Sequence, residues 1–164
     1  MLTTKLSESK ILWLSFTATV LITLAFQVIT LQLGLALLDG ISDPSEARAA
    51  ISSMTVYQRH FHIWITATLD VAYPAAYGAL FIGSAYRFFP SKGLLLSLPA
   101  LLCIPVDLGE GAVQVLALMG ALDLINLKAF LTPLKLLLFV SGFLITIAGW
   151  IKWAINRESR GQVP

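Results

Sequence analysis

The sequence predicts an all-α integral membrane protein, a four-helix bundle, and three observations carry that reading. The hydrophobic set makes up 57% of the chain and charged residues 12%, where an average soluble domain has about 45–50% apolar and about 25% charged residues. Mean hydropathy is +0.83. The few charges lie in short islands between long apolar runs, so there is no polar surface for a soluble fold of this length. The same composition excludes other classes. A net charge of +2 leaves no nucleic-acid footprint, and a single cysteine, Cys103, rules out an internal disulfide or a thiolate metal cluster.

A helix needs about 20 apolar residues to cross a hydrocarbon core about 30 Å thick. Four runs meet that length. The first goes from Ile11 to Leu38 and is stopped by Asp39-Gly40, and the second goes from Phe61 to Phe88 and is stopped by Phe89-Pro90. The third spans Leu94 to Met119 and the fourth Ala129 to Ile155, leaving a polar tail from Asn156 to Pro164. The runs lack strict alternation, which favours helices over barrel strands. Lys5 and Lys10 precede the first run, but its apolar stretch exceeds the 7–15 residues of a signal peptide, so it reads as a retained span. No internal repeat relates the two hairpins, and the chain reads as one transmembrane domain over residues 1–164.

Orientation follows from the placement of Lys and Arg. Lys5, Lys10, Arg87, Lys92, Lys152, Arg157 and Arg160 fall on one side; Arg48, Arg59 and Lys128 fall on the other. Both termini are therefore expected in the cytoplasm and the protein in the cell (cytoplasmic, inner) membrane. Trp13, Trp150 and Trp153 then form an inner aromatic belt and Trp64 an outer one. In the first outer loop, Asp43-Pro44-Ser45-Glu46 is a helix-start signature. Ala47, Ala50, Ile51 and Met54 behind it give the apolar stripe of a short amphipathic helix over residues 44 to 54.

Ionisable residues inside a membrane are costly and mark sites. Asp70 lies in the second span, Asp107 and Glu110 in the third and Lys135 in the fourth. At a rise of about 1.5 Å per residue, Gln27, Asp70 and Glu110 fall about 14–16 Å from the outer end of their spans and Lys135 about 9 Å. Helical phase places Cys103, Asp107, Glu110 and Gln114 on one face of the third span. It likewise aligns Thr66, Asp70, Tyr73, Tyr77 and Ser84 in the second, and Lys135 with Gly142, Thr146 and Gly149 in the fourth. Three acids and one base would leave two negative charges, so a carboxyl should hold a proton or meet a cation. Lys135 most simply reaches Glu110, although its stem could instead snorkel to the surface.

Asp70, Asp107 and Glu110 are thus the candidate acid–base cluster, with Gln27, Tyr73, Tyr77, Gln114 and Lys135 as candidate ligand-binding residues. Pro74 and Pro105 flank the acids and could widen a cavity, while Pro133 reads as a first-turn proline. His60 and His62 lie at the outer rim without further His or Cys nearby, so no metal site is expected. No nucleophile triad, phosphate loop or haem-ligand pair is present, and no cofactor is expected.

The set Leu69-Asp70-x-x-Tyr73-Pro74-x-x-Tyr77-Gly78, Asp107-x-x-Glu110 and Thr132-Pro133-x-Lys135 resembles a class of small four-span bacterial membrane proteins, over the last three spans. That resemblance implies the fold and no particular activity. The chain is also similar to the emopamil-binding (EXPERA) group in being a small helical bundle with intramembrane acids. No span pairs its acids with an inward Trp able to stabilise a carbocation, so no residue role is carried over from that group.

Three functions fit these residues. One is a membrane pocket for a lipid-like or amphipathic small molecule, with acid–base chemistry as an added capacity. The second is a structural or accessory subunit, with a membrane-protein partner or a second copy, whose polar layer specifies packing. The third is proton or cation movement, which four spans in one chain disfavour. Membrane lipids are expected partners in every case; nucleic acid is not.

Overall fold

A computed structural model describes residues 2–34 and 37–161, with the side chains of 2, 33 and 158–161 undescribed. The described residues form helices α1 (Leu2–Leu6), α2 (Ser9–Leu33), α3 (Pro44–Ser53), α4 (Val56–Phe88), α5 (Gly93–Leu118) and α6 (Lys128–Gly161), and no strand. Four helices are long and apolar enough to cross a membrane: α2, α4, α5 and α6.

The helix boundaries differ from the sequence reading in ways that local chemistry explains. The first span ends at Leu33, where Gly34 takes φ 62° and its N–H caps Thr30; a left-handed C-cap of this kind suits glycine. Asp39 therefore does not stop the span but sits in a separate 3-10 turn, Leu38–Gly40. The second span starts earlier, at Val56, because Thr55 and Gln58 form a reciprocal capping box. The fourth helix starts at Lys128 and runs to Gly161, so most of the polar tail continues as helix; residues 162–164 lie outside the described ones. Pro133 falls beyond the first turn, inside α6, where its ring leaves the carbonyl one turn back without a helical partner. In α3, the Asp43 side chain accepts from the N–H groups of Ser45 and Glu46, satisfying donors a helix start leaves free.

α4 is the centre of the bundle, packing against α2, α5 and α6, while α5 also packs on α6. Arg87 near the end of α4 donates to the Ser7 carbonyl, and Lys152 of α6 donates to the Phe88 carbonyl. The start of α2, the end of α4 and the last turns of α6 therefore share one end of the bundle. α2 and α6 meet there through Trp13 and Trp150, whose rings lie edge to face at 5.4 Å.

The polar and small faces inferred from helical phase turn inward. Cys103, Asp107, Glu110 and Gln114 are all buried on α5, as are Thr66, Asp70, Tyr77 and Ser84 on α4. Close approach uses glycines: the face of α6 at Gly142 lies against Phe81, and at Gly149 against Phe88. In lipid, apolar burial would not drive helices together, and tight packing of this kind would supply the association. The aromatic column Tyr73, Tyr77, Phe81 and Phe139 fills the centre, with neighbouring rings 5.1–6.4 Å apart. Large apolar residues including Leu31, Leu94, Leu136 and Leu144 cover the outside, as a lipid-facing surface would require. At the other end of the bundle, Ala47 of α3 is sealed against Val113 and Ile125.

Candidate functional site

The polar residues within three of the long apolar helices converge, and two residues that the sequence reading placed elsewhere join them. On α5, a glycine at position 111 leaves room beside Asp70: a Cβ there would lie 3.7 Å from an Asp70 carboxylate oxygen. The residue before it on α5, Glu110, is wholly buried and faces α6, where Lys128 and Thr132 both donate to its Oε1. Lys135, two turns after Lys128, lies 2.5 Å from the other Glu110 oxygen, 3.2 Å from Asp107 and 3.1 Å from Asp39. Its ammonium points into the bundle rather than snorkelling, and it reaches three carboxylates where one was expected.

Lys128 is the clearest correction. Counted as an outer-loop charge, it is in fact fully buried and ion-paired with Glu110. The 3-10 turn Ile125–Leu127, with Ile125 buried, carries the chain inward immediately before it. Asp39 is the second. Its oxygen accepts from the Gln114 amide at 2.9 Å and from Lys135. Burial alone would raise its carboxyl pKa, but Lys135, the Gln114 hydrogen bond and Lys128 outweigh burial and hold it below the usual value. A usable signal existed in the sequence: Asp39 is flanked by Leu37, Leu38 and Ile41, an apolar setting unusual for a solvated loop acid. His62 is corrected as well, being buried rather than at a rim.

The remaining candidates divide by contact. Tyr77 donates to Asp107 at 2.9 Å and lies 3.3 Å from the Cys103 sulfur. Tyr73 touches Thr23 of α2, hydroxyl to hydroxyl, at 3.1 Å. Gln114 is taken up by Asp39. Gln27 is exposed and stands apart from the carboxylates, facing the cavity described next.

A cavity of about 440 Å³ opens between α2 and α6. Its inner end is polar, formed by Asp39, Asp70, Asp107 and Lys135, and its walls are apolar, with Phe26, Leu136 and Phe139 prominent. Glu110 does not line it. Three of the four acids thus face the cavity, and the fourth is sealed behind them by Lys128. Asp70 is 8% exposed, and among the described residues no hydrogen bond or ion pair engages it. The whole cluster sets four carboxylates against two ammonium groups, so two negative charges are uncompensated if all ionise. Oxygens of Asp39, Asp70 and Asp107 lie within 4.8 Å of one another, a donor set that suits a hard cation. The expectation of no metal site considered His and Cys only; these carboxylates are where a cation would be held, alongside the Lys135 ammonium already on Asp39 and Asp107.

Compared with protein-family models, curated proteins and solved structures, the chain gives no match.

Proposed function

We propose that this protein binds a lipid-like or amphipathic small molecule in the cavity between α2 and α6, with the ligand's polar end on Asp39, Asp70, Asp107 and Lys135. The observation that supports this most is the unpartnered Asp70 at the polar end of an otherwise apolar cavity. A polar layer serving packing alone would be expected to close its carboxylates on one another, as Glu110 does with Lys128 and Thr132. Proton transfer at a bound ligand would fall to Asp70 and Asp107, since both face the cavity, while Glu110 acts as a positioning residue that fixes Lys135. We place the protein in the cytoplasmic membrane with both termini inside, on the asymmetry of Lys and Arg.

The structural reading is favoured by one observation of its own, the sealed Glu110–Lys128 pair, and applies to those two residues. Photolabelling separates the readings for the rest. The purified full chain is exposed to diazirine-bearing fatty alcohol, fatty acid and fatty amine, and labelled peptides are mapped. The binding reading expects at least one probe to concentrate on peptides containing Phe26 and Phe139, with labelling lost in Leu136→Trp and reduced in Asp70→Asn. Labelling spread evenly over the lipid-facing surface by all three probes, and unchanged in both variants, would overturn it.

A further inference from the structure

At the end of the bundle that holds the start of α2 and the last turns of α6, three cations stand together with no acidic partner among the described residues. Arg87, Lys152 and Arg157 line one cleft of about 490 Å³ with Trp153 and Asn156. Each cation is held over an aromatic ring: Arg87 over Phe88 at 5.9 Å, Lys152 over Phe89 at 5.0 Å and Arg157 over Trp153 at 5.5 Å. Arg87 and Lys152 each give one hydrogen bond to a backbone carbonyl, on Ser7 and Phe88, and keep further N–H groups free. None of the three forms an ion pair with a described carboxylate.

A narrow slot of about 70 Å³ adjoins the cleft and shares Arg87, Phe88 and Trp153 with it. Leu12, Trp13 and Trp150 make the slot apolar. Trp150 adds an independent observation: its indole N–H is sealed from solvent and meets no acceptor among the described residues. Its ring forms one wall of the slot.

The geometry points to a bound anionic phospholipid, its phosphate among Arg87, Lys152 and Arg157 and an acyl chain leaving past Trp13. Aromatic rings that pin the cations replace the usual counter-carboxylates, so the cleft keeps a net positive charge for a headgroup to neutralise. A zwitterionic lipid would bring its own ammonium against those cations, which favours a headgroup with no positive charge. The site is at the opposite end of α4 and α6 from the acidic cavity, and stands independently of the function proposed there.

Native mass spectrometry of the full chain in detergent tests it, with phosphatidylglycerol and phosphatidylcholine of matched acyl chains supplied in equal amounts. The phosphatidylglycerol adduct should dominate by about fivefold or more, given the attraction each added cation supplies. Lys152→Gln/Arg157→Gln should bring the two lipids to parity with helicity unchanged by circular dichroism. Lys92→Gln, which removes a charge at the same end but outside the cleft, should leave the preference intact. Equal adducts on the unaltered chain, or a drop in Lys92→Gln as large as in the double variant, would overturn the proposal. So would adducts of millimolar inorganic phosphate on an unaltered chain that carries no phosphatidylglycerol, which would mean a phosphate site that takes no lipid.

Discussion

Glu110 and Lys128 form an ion pair with no exposed side-chain surface on either partner, linking α5 to the first turn of α6. Taking two charges out of water is costly, and the cost is met only where geometry and extra hydrogen bonds are good. Here Thr132 donates to the same carboxylate oxygen and Lys135 approaches the other. The arrangement makes the two partners unequal. Removing the carboxylate leaves Lys128 buried without a counter-charge, whereas removing Lys128 leaves Glu110 still served by Lys135 and Thr132.

Glu110→Gln should therefore destabilise the protein by about 3–5 kcal/mol, and Lys128→Met by clearly less. Unfolding of the detergent-solubilised chain, followed by a double-mutant cycle on the pair, checks the ranking. Equal losses for both single variants would show that Lys135 does not compensate.

The two tyrosines of α4 should respond differently to loss of their hydroxyls. Tyr77 is buried and donates to Asp107; Tyr77→Phe leaves that carboxylate short of a donor and should cost about 1–3 kcal/mol. Tyr73 is only half-buried, and its hydroxyl pairs with Thr23 beside the cavity. Tyr73→Phe should cost under about 1 kcal/mol, in the range measured for interhelical hydrogen bonds in membranes. A larger loss for Tyr73→Phe than for Tyr77→Phe would contradict the contacts described.

Glycine spacing gives a prediction about the termini. A Cβ at Gly83 would collide with the backbone carbonyl of Leu6, which cannot swing aside as a side chain can. Gly83→Ala should push α1 off α4 and cost about 1–3 kcal/mol. At Gly109 nothing lies within 4 Å of the added atom, so Gly109→Ala should be neutral or stabilise by up to about 1 kcal/mol through helix propensity. Thermal unfolding of the two variants in one detergent gives the comparison, and a stabilised Gly83→Ala would refute the α1 contact.

The loop end should loosen in acid. Against the opposing effect of burial, Asp39 is held below the ordinary carboxyl value of 3.8 by Lys135, Gln114 and Lys128. Asp123 is lowered by its hydrogen bond from Arg48, and Asp43 by its hydrogen bond from Ser45. A carboxyl whose folded pKa is depressed contributes stability above its unfolded pKa and loses it as pH falls through the folded one. Hydrogen exchange in residues 37–53 should thus be protected near pH 6 and speed up, after correction for intrinsic rates, as pH drops below 3.8. Unchanged protection down to pH 2.5 would rule out a holding role for these acids.

The sequence by itself determined the class, the number of long helices and the inward faces of three of them. Those features repeat along one helix, so composition and the 100° step between residues suffice to read them. Asp70, Asp107, Glu110 and Lys135 were legible as charges within long apolar helices for the same reason. Only the tertiary structure decided which of them face a cavity and which are sealed. Lys128 and Asp39 sit at or beyond the ends of the long runs, where a charge ordinarily meets water and sequence arithmetic assigns it there. Short turns, Ile125–Leu127 and Leu38–Gly40, fold both back onto the bundle, and the direction of such a turn is set by packing against Val113, Leu118 and Met54 rather than by any period in the chain. That choice pairs Glu110 with Lys128 and leaves Asp70 as a carboxylate without a partner among the described residues.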